Sequence, residues 1–192
     1  MIRRITMAGQ SCEFRVAGVA EAAAIASLVN RAYRPAPDEA GWTHEAHLVG
    51  GMRTDASQVS GLMTEPGSVL LVGLRLDRLA ACVQVEAHTQ GSYIGMLAVD
   101  PAMQAKGLGT RMLQFAERYA AEFQRATRLV MTVVSHRTEL VSFYLRRGYE
   151  LTGRTHPFPS YAGVPKQSSL ELVELAKQIK EPFAAGLADV PS

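Results

Sequence analysis

Long apolar runs are missing from this chain. None approaches the ~18 uninterrupted apolar residues that a membrane-spanning helix needs, so a soluble protein with no membrane partner is expected. Cysteine is scarce: Cys12 lies near the N-terminus and Cys82 inside an apolar run. Two cysteines so placed form neither a disulfide framework nor a CxxC-type ligand pattern, which points to a reducing, cytoplasmic setting. An excess of charge of one sign is also lacking. Lys and Arg total 20 against 18 Asp and Glu, for a formal net charge of +2, and without basic clustering no nucleic-acid surface is expected. No apolar h-region follows the basic start Met1–Met7, so no signal peptide is expected either. Internal repeats and low-complexity segments are absent. The partner of such a chain is a small molecule.

What is present is enough apolar material, 47% of 192 residues, to bury one sizeable core. Residues 1–12 show no periodicity, and residues 181–192 are mostly small residues between two prolines. Both ends are expected to be loosely held around a single domain over 13–180. A short strand is read at Glu13–Val16. Apolar residues from Val19 to Tyr33 then recur at helical spacing until Pro35 and Pro37. Asp55-Ala56-Ser57-Gln58 has the form of a capping box opening a second helix, closed by Pro66-Gly67. Val69–Leu76 and Leu79–Ala87 alternate like paired strands, and Thr89-Gln90-Gly91 turns the chain into a third over Ser92–Val99. An amphipathic helix follows Gly109, then a strand at Arg128–Val134, a helix at Leu140–Arg147 stopped by Gly148, and strands near Tyr149–Thr152 and Leu170–Leu175. The order β-α-α-β-β-β-α-β-α-β-β predicts an α/β fold with one mixed, mostly antiparallel sheet and helices on both faces.

The segment Gln104-Ala105-Lys106-Gly107-Leu108-Gly109-Thr110 stands where the third strand of the meander gives way to a helix. Free backbone N–H groups and the positive end of a helix dipole converge at such a point, and glycine lets a bulky anion approach them. Lys106 adds charge and Thr110 a hydroxyl. On its own a Gly-x-Gly turn is also what an ordinary connection looks like. It is not a Walker loop, since GxxxxGK[ST] is absent. Nor is it the dinucleotide fingerprint, since Met112 stands where the third glycine would be.

With its neighbours, the turn resembles the GCN5-related N-acetyltransferase (GNAT) superfamily. Gln104–Gly109 matches that family's Gln/Arg-x-x-Gly-x-Gly/Ala at every defined position. Met96-Leu97-Ala98-Val99-Asp100-Pro101 looks like its fourth strand, and Phe143-Tyr144-Leu145-Arg146-Arg147-Gly148-Tyr149 like its Phe-Tyr-x-x-x-Gly-Phe/Tyr. The resemblance implies acetyl-CoA as acyl donor, without a metal, and pantetheine lying where the fourth and fifth strands splay apart. Leu97, Ala98 and Val99 would then meet pantetheine and the acyl group through their backbones. Gln104, Ala105, Lys106, Gly107, Leu108, Gly109 and Thr110 would hold the pyrophosphate, and Tyr144 would protonate the leaving thiolate. Relatives are often dimers, so a homodimer is an expectation of the same kind.

Two positions depart from the family. Tyr93 stands where the histone-modifying branch has its strand-four glutamate, and Glu86, opposite it across the hairpin, is the substitute general base. Arg137 stands where many members have asparagine; it would pair with a CoA phosphate or be a surface cation. Trp42, His44 and Glu45 fall in the stretch that shapes the acceptor pocket in relatives. His44-Glu45-Ala46-His47 is one residue short of HExxH and lacks a third ligand, so no metal site is expected. His136 and His156 are read as solvated loop histidines. The function expected is acetylation of the amine of a small or amino-acid-like acceptor. A silent acyl-CoA-binding sensor and an acetyltransferase for protein N-termini or lysines are the alternatives.

Overall fold

A computed structural model gives the fold and describes residues 5–6, 12–36, 41, 43–167 and 170–179. The expected tail, 181–192, lies outside the described residues, as does Trp42. The strands are β1 (Ile5–Thr6), β2 (Cys12–Val16), β3 (Val49–Gly50), β4 (Ser68–Arg75), β5 (Arg78–His88), β6 (Gly91–Val99), β7 (Arg128–Val134), β8 (Glu150–Pro157), β9 (Val164–Pro165) and β10 (Glu171–Gln178). The helices are α1 (Ala22–Tyr33), α2 (Ala56–Thr64), α3 (Leu108–Phe123) and α4 (Thr138–Leu145). Eight strands form one sheet in the order β1-β2-β4-β5-β6-β7-β10-β8, and β3 pairs with β9 in a separate ribbon. This is the mixed α/β architecture the alternating pattern predicts. Three short strands escaped that pattern: β1, β3 and β9, each of two residues, too short for a period to register. β1 pairs with β2, and β2 begins at Cys12, so parts of the 1–12 segment join the sheet.

Each half of the β4–β5 hairpin carries apolar residues on both faces because helices cover both. Leu71, Val83 and Val85 pack with Met112, Leu113 and Ala116 of α3, whereas Leu70, Val72 and Cys82 pack with Ile25, Leu28 and Val29 of α1. Asp55 opens α2 as a cap, its carboxylate accepting from Gln58 N at 2.8 Å. The reciprocal half of the expected box is replaced: the Gln58 amide oxygen accepts from Thr54 Oγ1 at 3.1 Å.

Two features of β6 create the space for a site. It runs parallel to β7, but the two pair only at Ser92↔Leu129 and Tyr93↔Val130 before parting. Just beyond, the β5–β6 register shifts between Cys82 and Gln84, and Met96 takes a left-handed φ of 49°. This is a β-bulge, and one inserted residue exchanges the two faces of the strand after it. Ile94 accordingly packs on the α3 side, Met96 and Ala98 on the α1 side, and Leu97 and Val99 back on the α3 side.

The parallel pair depends on a close approach at its start. Gly91 has φ +135°, and a Cβ there would lie 2.1 Å from the Arg128 carbonyl oxygen. Gly91→Ala is therefore expected to lower stability by about 3 kcal/mol or more, combining clash with backbone strain. Urea denaturation against the parent measures it.

Candidate active site

Where β6 and β7 part, a cleft of about 270 Å³ opens between the β6 edge, the 104–110 turn and α4. Asp100 N donates to Ala80 O at 2.9 Å, so by strand alternation Leu97 and Val99 turn their backbone groups away from β5 and toward the cleft. Their carbonyls are already engaged: Leu97 O accepts from Tyr33 Oη at 3.1 Å, and Val99 O from Gln104 Nε2 at 3.1 Å. With β7 gone from this edge, its N–H groups remain to meet an extended ligand.

The turn that follows has the geometry its residues suggest. Ala105 and Gly107 both adopt left-handed backbone, φ 60° and 79°. Gly107 is the N-cap of α3 and offers no side-chain cap. The first backbone bond within the helix runs from Arg111 N to Gly107 O, which leaves the N–H groups of Leu108, Gly109 and Thr110 without intrahelical acceptors. A Cβ on Gly107 would meet nothing within 4 Å, so the space before these donors is open. Donors, dipole and room together suit a diphosphate. Lys106 lies at the surface, donating to Ala102 O at 3.2 Å. The Gln104 side chain braces the turn, holding Val99 O on one side and accepting from Thr43 N at 3.3 Å on the other.

Arg147 is a cation that motif reading passed over. Its Nε and Nη2 reach Thr110 Oγ1 at 3.2 and 2.5 Å, Nη1 reaches Phe143 O at 2.6 Å, and the guanidinium lies 3.4 Å from the Phe143 ring centroid. It thus holds a positive charge at the mouth of α3. The signal was available: Arg147 lies four residues after Phe143, one helical turn on in the helix expected over Leu140–Arg147, although α4 itself ends at Leu145.

Tyr144 lines the cleft at 6% exposure, its ring edge-on to Phe143 and Tyr149. Burial, with the nearby Tyr33 phenol adding to it, raises its pKa well above the ordinary tyrosine value. It is therefore a neutral O–H donor across the physiological range.

Arg137 also lines the cleft, but it is not a surface cation: it is 5% exposed. It donates to Thr43 Oγ1 at 2.7 Å and lies 3.5 Å from Glu45 and 3.7 Å from Glu139. Glu45, itself buried, also accepts from Arg34. These ion pairs clamp the segment around Thr43 and Glu45 onto α1 and α4. His44 is half-buried; burial first, and His47 second, lower its pKa. Among the described residues no group of three or more His, Cys, Asp or Glu is arranged to hold a metal.

Glu86 and Tyr93 pair across β5 and β6, but neither lines the cleft with Tyr144. Glu86 accepts from Gln84 Nε2 at 3.1 Å and lies 3.6 Å from His88. The Tyr93 hydroxyl bonds Thr132 Oγ1 at 2.9 Å, and Tyr93 faces a second pocket on the sheet face that α1 and α2 leave bare. His156, read as a loop residue, belongs to β8 and lines that pocket, 2.9 Å from the buried Glu174.

A parted parallel strand pair, with a glycine turn and an uncapped helix N-terminus at its mouth, offers a free strand edge and a diphosphate-sized set of donors, which suit an extended donor of the acyl-CoA type. The profile of the acetyltransferase (GNAT) family matches residues 23–149, from α1 through the 143–149 motif, and the chain belongs to that family. The uncharacterized N-acetyltransferase YesJ of Bacillus subtilis (strain 168) is 38% identical over 68 residues. That match spans 35% of this chain and only 37% of the relative's length. Among solved structures, the ribosomal-protein-S18-alanine N-acetyltransferase of Escherichia coli superposes with a TM-score of 0.66 at 13% identity, covering 94% of this chain and all of that one (100%). The Salmonella typhimurium acetyltransferase yncA, solved with acetyl-CoA, gives 0.65 at 18%, covering 95% and 98%. At these identities the likeness is one of fold. No described helix is long and apolar enough to cross a membrane.

Loss of the Arg147 charge at the helix mouth is expected to weaken acetyl-CoA binding about tenfold or more, the usual scale for a charged hydrogen bond. Calorimetric titration of Arg147→Gln against the parent reads the change.

Proposed function

We propose that this protein is an acetyl-CoA-dependent N-acetyltransferase whose acceptor is a small, amino-acid-like amine. Tyr144 carries the reading: a buried phenol on the wall of a donor cleft. In this reading the 104–110 turn and Arg147 bind the pyrophosphate, and the N–H groups of Leu97 and Val99 orient the pantetheine and thioester. The acceptor nitrogen bonds to the acetyl carbon, the C–S bond breaks with its electron pair leaving on sulfur, and the Tyr144 O–H supplies a proton to that sulfur.

An alkyl ammonium has a pKa near ~10.4, so the acceptor must lose a proton before it attacks. Burial raises the Tyr93 phenol as well, which suits a hydrogen-bonding group more than a base. Glu86, its cross-strand neighbour, stands outside the cleft that Tyr144 lines, so as the general base it would take that proton through water. In this reading the Arg34–Glu45–Arg137 clamp has a supporting role, fixing the acceptor-side segment rather than pairing with a CoA phosphate.

The test is thiol release from acetyl-CoA across amines, amino acids and peptides. Tyr144→Phe is expected to lower kcat by about 10²- to 10⁴-fold, the range for loss of a general acid, with acetyl-CoA affinity unchanged. A phenol acting as an acid fails only when it ionises, and a raised pKa moves that failure upward. The kcat profile should therefore show no alkaline loss from Tyr144 below about pH 10, the ordinary tyrosine value. Acetyl-CoA binding without turnover of any acceptor would favour a sensor.

A further inference from the structure

Tyr33, at the end of α1, lines the donor cleft. Its hydroxyl is anchored on Leu97 O at 3.1 Å, and two guanidiniums, those of Arg53 and Arg137, each lie 5.6 Å from its ring centroid. Arg137 is committed to Thr43, Glu45 and Glu139. Arg147, further along the cleft, is committed to Thr110 and Phe143 O. The Arg53 guanidinium, by contrast, makes no hydrogen bond or ion pair with any of the described residues, and the residue is half-buried.

Its backbone, however, is held tightly. The Asn30 side chain spends its whole amide on residues 53 and 54: Oδ1 accepts from Arg53 N at 2.7 Å and from Thr54 N at 3.3 Å, and Nδ2 donates to Thr54 O at 2.8 Å. Asp55, two residues on, is pinned as the cap of α2. A cation whose backbone is fixed, which lies over an aromatic ring and meets no acceptor among the described residues, is preorganised for an anionic ligand. The field of Arg53 reaches the phenols of both Tyr33 and Tyr93 and favours their ionised forms, though burial dominates and raises both. Its charge therefore lies close to both rings.

We infer that Arg53 is the specificity-determining residue for the acceptor, binding its carboxylate so that the amine of an amino acid is presented to the Leu97 edge. The inference rests on the transfer reaction proposed above, whose thioester lies along that edge. The Tyr33 ring stands between the guanidinium and that edge, its centroid 5.6 Å from the guanidinium and its hydroxyl 3.1 Å from Leu97 O. A free α-amino acid fits that span and that charge; an alkylamine or an amidated amino acid leaves Arg53 unpaired.

The experiment titrates the common free amino acids, and the α-amide of each, into protein loaded with CoA, using the parent, Arg53→Gln and Arg53→Lys. At least one free amino acid should bind the parent roughly 10- to 100-fold more tightly than its amide, the worth of a charge-assisted pair. Arg53→Gln should erase that difference and Arg53→Lys keep part of it. CoA affinity and the unfolding midpoint should stay at parent values, which separates lost recognition from lost folding. Equal binding of acids and amides by the parent, a preference that survives in Arg53→Gln, or no amino-acid binding at all would overturn the assignment. Thiol release from acetyl-CoA over the same panel reads the transfer separately. Carboxylate-dependent binding without release would count against the reaction and leave the Arg53 subsite standing.

Discussion

Everything at the candidate site depends on β6 and β7 being hydrogen-bonded at one end and apart at the other. Two residue pairs tie them, and after that the β6 edge has no strand partner on that side. Unpaired backbone N–H and C=O groups are costly to bury, so they must be met by side chains, solvent or a ligand. The chain meets the carbonyls itself, with Tyr33 and Gln104, and leaves donors toward the cleft. The bulge at Met96 contributes to the same end. By reversing the faces of β6 it sends Leu97 and Val99 to the α3 and α4 side and Met96 and Ala98 under α1, so both layers can close on a strand that β7 has left.

The cleft is built from segments distant in sequence, and buried arginines join them. Arg34 holds both Glu45 and the Ala162 carbonyl, bringing the segments before β3 and before β9 together, and β3 then pairs with β9. Arg137 binds the same glutamate from the start of α4. Removing one member would strand a buried charge, so the network acts as a unit. Polar residues in the apolar interior here fix the relative positions of the two sides of the site.

Much of this was legible in the residues. Strand β7 matches its expected span of Arg128–Val134, and the Glu86–Tyr93 register follows from the hairpin. The glycine turn was legible because two conformational demands, a left-handed φ at Gly107 and an uncapped helix start, select residue types that leave a written pattern. Arg147 could have been found from its spacing to Phe143. Other features had no such mark. Tyr33 reads as one more position in the apolar stripe of α1, and Arg53 as an ordinary loop cation. His156 reads as a loop residue, because β8 is mostly exposed and lacks apolar alternation.

Local rules act over a few residues. The amino-acid order alone therefore determined the longer elements and their order, the glycine turn and the tyrosine motif, all of which follow from periodicity, caps and backbone freedom within one segment. The tertiary structure decided which of two similar arginines meets a carboxylate among the described residues and which does not. Arg137 and Arg53 lie at the same distance from the same ring, yet among the described residues one pairs with Glu45 and the other pairs with no carboxylate. That difference arises from carboxylates brought in across the fold, and pairing between distant segments is what no local pattern encodes.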